Sequence, residues 1–522
     1  MKHVQRHDFT DHALDILDLI VGWNNDYRIR HLIHSLTQKY ALKHLNIDQF
    51  VTFKRMKLTL TKMTRCLFLL FLFNAFVGHG QEVRNVSLLD RWFSDTLVTN
   101  TSNVRYSGCW GFTYNGEEYA VIGSTEGYHF FNVSLTNTLD FVGFIEGKFN
   151  SSQVIHREIK TFDHYAYLIC DEGNSSLQIA DLQYLPDSIT KVADLQDERF
   201  GKIHNLFIDS TNALLYACLV TPIVGGTMTG TIPLRVFSLN DPLNPALIWE
   251  GPSDIPEVHD CYVTGSIAFL NCGMDGIRIY DFSTPSSPIL LNDLTFYLDQ
   301  GYNHQGWLSP DGKTYVFADE TDGKQVKKCS VGSNYALTIE SLFGTNIQNN
   351  SVPHNVMTDG TFAYVAYYNE GLRIFDIRNE GKEVGCYDTY MEESPFNMDG
   401  AWGIFSGYES GRIIVSDRQS GLYLFNWPKE VFTIPSSTQF TLYPNPTSVG
   451  ESALLRSPLD SIASFDVSIY NLQGKHVDSM RSENQSFLEL NATLPAGVYH
   501  LTVRFINYLN EADQILLKWV IL

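Results

Sequence analysis

Basic residues are the first shortage in this sequence. Lys and Arg total 37 against 58 Asp and Glu, a formal charge of −21 over 522 residues. With no basic surplus to displace counterions from phosphates, a nucleic-acid partner is not expected. Sustained apolar periodicity at 3.6 residues is also missing, which excludes a helical solenoid. The longest candidate apolar segment, Cys66 to Val77, runs only about 12 residues, short for a membrane helix. Cysteines number eight, and with Cys66 inside that segment an odd set remains, a poor basis for a disulfide framework. Cys170, Cys218 and Cys272 close similar apolar runs ("LIC", "YAC", "LNC") and read as small buried residues between repeats. A Cys261–Cys272 bridge across one hairpin is the expected exception. No catalytic signature appears. Ser309 in "GWLS" lies in no nucleophile elbow, the glycines follow turns and build no phosphate loop, and turns such as "MDG" lack the ligand spacing of an EF-hand.

Aromatics, in contrast, are plentiful. Tyr and Phe number 27 and 33, a bias toward strands. The organisation starts with "MKLTLTKMTRCLFLLFLFNAFVGHGQ". Lys57, Lys62 and Arg65 precede the apolar run, and Gly78 and Gly80 follow it, the layout of a secretory signal peptide over 56–80. Residues 1–55 then read as an overextended start outside the mature protein. An uncleaved anchor is the alternative.

Beyond that point the sequence repeats. "GIRIYDF" (276–282) and "GLRIFDI" (371–377) lie 95 residues apart, as do His259 and His354. A unit of about 45–55 residues recurs seven times across 86–430. The units begin near Trp110, Arg157, His204, His259, His304, His354 and Trp402. Each predicts four short strands joined by tight turns, as in one blade of a β-propeller. The predicted fold class is therefore all-β, a seven-bladed β-propeller closed into a ring so that no long sheet edge stays bare. The seventh unit lacks a fourth strand, and "NVSLLDRWF" (Asn85 to Phe93) is a spare one expected to complete it. After a linker at 431–440, residues 441–522 show short alternating runs and a turn at Gly474, which suggest a small Ig-like β-sandwich.

In a propeller, the start of the first strand and the turn between the second and third share one face. His204, His259, His304 and His354 stand at such starts. Asp171, Glu172, Asp275, Asp319, Glu320, Glu370 and Asp417 stand at or near such turns. Imidazoles and carboxylates at one channel mouth could bind a divalent metal, with His204, His259, His304, His354, Asp319 and Glu320 as candidate ligands. A histidine repeated in every unit can equally be a structural hydrogen-bonding residue, and a channel about a nanometre wide could hold the rings too far apart to share one ion. Trp110, Trp307 and Trp402 recur near the same starts and suggest core packing, or less simply a stacking platform.

Two resemblances add to this. The phrases "HREIKTF", "HNLFI", "HDCYV", "NHQGWLSPDGKTYVFADE" and "HNVMTDGTFAYVAYYNEGLRIFDI" resemble the LVIVD repeats of the choice-of-anchor B family, secreted bacterial propellers that differ in C-terminal attachment. That family implies the fold and supplies no reaction. "YPNP" (Tyr443, Pro444, Asn445, Pro446), "SIYNLQGK" and "LPAGVYHLTV" resemble the sorting domain of the type IX secretion system. This implies a Bacteroidetes origin, handling by that machinery, and an extracellular or outer-membrane-surface location after signal-peptide export to the periplasm, the mature form not spanning the membrane. The tail "INYLNEADQILLKWVIL" is longer and more apolar than many such endings. The combined expectation is a surface or secreted propeller that binds an extracellular ligand. The alternative is a metal-dependent extracellular hydrolase or oxidase.

Overall fold

The computed structural model describes residues 81–522 apart from 135–136, 346–350, 379, 392–397, 430–431, 433–439, 458–463, 484–486 and 507–511. The expected extended start (1–55) and signal peptide (56–80) lie outside the described residues, as does the linker at 431–440 except for Phe432 and Phe440. The described chain is almost wholly strand and turn, with a short 3-10 turn at Ser333–Tyr335.

Seven antiparallel sheets follow one another through residue 426. Their first strands are Tyr106–Tyr114, Arg157–Phe162, Asn205–Asp209, Asp260–Thr264, Asn303–Leu308, Val356–Thr358 and Ala401–Phe405. Each of these strands touches the next, and the last returns to the first, so the sheets close a ring. The apolar clusters lie between neighbouring sheets; one, for example, joins Val121 and Phe130 of the first sheet to Ile159 and Leu168 of the second. Alternation along each strand thus places one apolar face against each neighbour.

The repeated phrase has a residue-by-residue explanation. At Gly276, Gly371 and Gly421 the third strand starts with φ of +77°, +75° and +104°. A Cβ there would lie 2.0–2.3 Å from a carbonyl oxygen at the end of the fourth strand, so only glycine fits. The aspartate that ends the phrase stops the strand. Asp281 Oδ1 accepts the Ser283 N–H at 2.7 Å, and Asp376 Oδ1 accepts the Arg378 N–H at 3.0 Å, in Asx turns.

The spare strand lies where it was expected. Ser87–Trp92 pairs with Gly421–Asn426 and completes the seventh sheet, while Val83–Arg84 adds a short fifth strand to the sixth. In all seven sheets the third-to-fourth strand pairing carries one register shift, with the extra residue on the outer strand. Such bulges add local twist, and Leu89 of the N-terminal strand occupies the bulge position like the others.

The expected Cys261–Cys272 bridge is not formed, since all seven described cysteines are free and buried. Cys261 lies opposite Leu270 across the hairpin, and Cys272 follows that strand. The Cys261 thiol faces Cys218 of the preceding sheet instead, at 3.7 Å.

Residues 440–522 form a three-stranded and a four-stranded sheet with one core between them, which includes Leu455, Val467, Leu490, Val503 and Trp519. The apolar ending is part of that core: its last strand, Ala512–Ile521, pairs along its length with Gly497–Ile506. "YPNP" clasps this strand. Asn445 Nδ2 donates to the Lys518 carbonyl at 2.7 Å, and Asn445 Oδ1 accepts the Val520 N–H at 2.9 Å.

Candidate functional site

The ring of first strands encloses a narrow axis. Alternate residues face it: Glu158 and Lys160, Asn205 and Phe207, Gln305 and Trp307, Asn355 and Met357, with Asp260 from the fourth sheet. They surround a cavity of about 30 Å³, close to the share of one water in the liquid.

At the starts of these strands a second layer forms. His156, His204, His259, His304 and His354 stand side by side, with centroids 4.1, 4.3, 4.3 and 4.1 Å apart. Trp402 follows His354 at 4.2 Å and returns to His156 at 5.4 Å, so five imidazoles and an indole make a closed circle. The first sheet contributes no ring to it. Its Gly108 leaves room for Glu158, whose Oε1 would lie 2.3 Å from an added Cβ.

Proton positions in this circle follow from the acceptors. His259 Nδ1 lies 3.1 Å from the His304 carbonyl, and His354 Nδ1 lies 2.6 Å from the Trp402 carbonyl. A carbonyl can only accept, so each Nδ1 carries the hydrogen and the neutral ring keeps its lone pair on Nε2. His304 Nδ1 is buried and has no hydrogen-bond partner. Burial holds His259, His304 and His354 well below the ordinary imidazole value, and neighbouring imidazoles add to the effect. These rings are neutral near pH 7.

Carboxylates meet the circle at three places, the first being Glu158, whose Oε1 lies 3.6 Å from His156 Nε2. Asp171 Oδ2 is 2.8 Å from His204 Nδ1, and its other oxygen is 3.4 Å from Lys202 Nζ. Burial alone would raise this carboxyl, but the His204 hydrogen bond prevails and holds it below the usual range. Glu320 lies between two rings, 3.7 Å from His304 Nε2 and 3.8 Å from His354 Nε2. The Tyr368 hydroxyl donates to Glu320 Oε1, and burial pushes the Glu320 carboxyl up. His156–Asp171–His204 and His304–Glu320–His354 are thus two trios whose potential ligand atoms lie within 4.8 Å of one another. A third grouping, Glu82, Glu383 and Cys386, is taken up by Arg373, 2.8 Å from Glu82 and 3.5 Å from Glu383.

Of the expected ligands, His204, His259, His304, His354 and Glu320 meet here, and the rings are adjacent rather than spread over a nanometre. Asp319 does not join them. Its neighbour Glu320 faces the circle while Asp319 turns into the fifth sheet, bonded to Lys327 Nζ at 3.0 Å, the Tyr297 hydroxyl at 2.9 Å and the Gly301 N–H at 2.7 Å. Glu370 and Asp417 likewise turn away, toward Ser351 and Thr389. His156 is not among the expected ligands, although "IHREIK" aligns it with "IHNLF"; the repeat pattern alone sets that unit's start one residue later, at Arg157. The tryptophans divide: Trp402 belongs to the circle, while Trp110 and Trp307 line the cavity.

Residues 441–518 match the family described as a secretion system C-terminal sorting domain. That tail belongs to proteins handled by the type IX machinery and marks this chain as secreted or cell-surface. No curated protein matches the chain. Among solved structures it is similar to the β-propeller domain of Myceliophteria thermophila Cps50 (Swd1), with 11% identity, a TM-score of 0.44, and coverage of 64% of this chain and 99% of that one. It is also similar to the computationally designed Ika8 protein, with 10% identity, a TM-score of 0.42, and coverage of 65% and 98%. Among the described residues no helix is long and apolar enough to cross a membrane.

Proposed function

We propose that the chain is an exported binding protein of the cell surface or medium: a seven-bladed β-propeller of the choice-of-anchor B kind, carried out of a Bacteroidetes cell by an Ig-like C-terminal sorting domain. The match at 441–518 carries this reading. The cyclic contacts of the first strands and the N-terminal closing strand support the blade count. A propeller fold alone assigns no chemistry, and the absence of a recognised catalytic motif favours ligand binding. The second reading, a metal-dependent extracellular hydrolase or oxidase, is favoured by the two His–carboxylate–His trios.

Cell fractionation tests the export reading in a bacterium with the type IX machinery. The full chain is expected at the surface or in the medium, and a variant lacking residues 441–522 in the periplasm. Equal surface delivery of both would overturn the reading.

A further inference from the structure

We propose that the hub holds one divalent transition-metal ion between His304 Nε2, His354 Nε2 and the carboxylate of Glu320. This goes beyond the export reading and does not depend on it. The distances select the site. At 3.7 and 3.8 Å from the two nitrogens, the Glu320 oxygens are too far to accept a hydrogen bond. They are close to the spacing of two ligands on a common ion, since tetrahedral bonds of about 2.0–2.1 Å put donor atoms about 3.3–3.4 Å apart. All potential ligand atoms of the trio lie within 4.8 Å of one another, so an ion between them requires the set to contract.

The protonation pattern agrees. His354 Nδ1 donates to the Trp402 carbonyl at 2.6 Å, which leaves the Nε2 lone pair aimed at a carboxylate. His354 is 2% exposed, and its Nε2 has no hydrogen-bond partner. Neutral imidazole with one nitrogen tied to a backbone carbonyl and the other free is the arrangement that outer-shell partners impose on metal-binding histidines. Glu320 is oriented in turn by Tyr368. Its side chain keeps 16% exposure, which gives an ion a way in from the mouth.

The other trio also holds a buried, unpartnered nitrogen, His156 Nδ1, but its carboxylate is already engaged. Asp171 already takes a hydrogen bond from His204 and an ion pair from Lys202, so its oxygens have partners. Two imidazoles and one carboxylate suit late first-row metals better than Ca²⁺ or Mg²⁺. Three protein ligands leave at least one position for water or an incoming ligand, as in catalytic rather than structural sites.

The test uses the full chain, stripped with a chelator and titrated with Co(II), then Zn(II). One equivalent of Co(II) is expected to give a visible d–d spectrum that Zn(II) abolishes, and Zn(II) to raise the melting temperature. Glu320→Gln keeps the side-chain shape and an acceptor for Tyr368. It should weaken Co(II) binding by more than the roughly 10–100-fold that loss of an outer-shell partner costs. His354→Gln should do the same, and if it fails to fold, Glu320→Gln decides. Circular dichroism and melting of the metal-free variants separate lost binding from lost fold. Absence of a bound equivalent would overturn the proposal. So would binding that survives Glu320→Gln, or binding lost in Asp171→Asn instead.

Discussion

Lys327 has no water contact at all. Its side chain is fully buried, and its ammonium is held by Asp319 at 3.0 Å and Asp299 at 3.6 Å. Removing one member of a buried pair strands the other charge, which costs about 3–5 kcal/mol. Lys327→Met is expected to destabilise the protein by that amount in chemical denaturation. Adding Asp319→Asn should recover part of the loss, because the stranded carboxylate goes. His129 makes a pH-dependent case. It stacks on Trp92 and Phe144 at 4.6 Å each; burial, with Arg157 nearby, pulls its value from 6.5 to about 4. Between those values the unfolded chain holds a proton that the folded chain refuses, so stability falls as pH drops through the window. His129→Gln removes this term. Relative to the variant, the parent should lose about 3 kcal/mol between pH 7 and pH 4, read from denaturation curves at both. The same scale shows what sequence position conceals. Asp319 and Glu320 are adjacent in one turn, yet successive residues face opposite sides, and only coordinates tell which faces the axis.

At the scale of elements, strands and turns were the most legible part. Alternating runs and glycine turns announced them, and the misfit at the seventh unit pointed to the N-terminal strand. The outer-strand bulges were not legible, because one extra residue leaves a short alternating pattern looking intact. Closure depends on Ser87–Trp92, whose Trp92 also packs on Phe131 of the first sheet at 5.0 Å. A variant that begins at Thr96 loses the backbone bonds of that strand and exposes the edge at Gly421–Asn426. It is expected to melt well below the full chain or to aggregate, by thermal scanning and size exclusion; unchanged melting would show that the ring is closed by other contacts. The same logic accounts for the cysteines. Recurrence predicted burial correctly, but thiol partners are set by how neighbouring sheets stack, and Cys261 meets Cys218 in another sheet.

For the molecule as a whole, the repeat period and the C-terminal phrases pointed to a β-propeller carrying a secretion sorting tail. The "YPNP" phrase served in the sequence as a marker, and in the fold it is a clasp on the final strand. The sequence alone determined strand periodicity, the histidine at four of the strand starts and the sorting tail. These are local patterns, set by alternation, turn chemistry and composition. Tertiary structure decided which of those residues meet. Five imidazoles from five sheets become neighbours only when the ring closes, and Glu320 rather than Asp319 reaches them only through the facing of one strand end. Contacts between residues about fifty positions apart depend on sheet twist and stacking, which short sequence patterns do not encode.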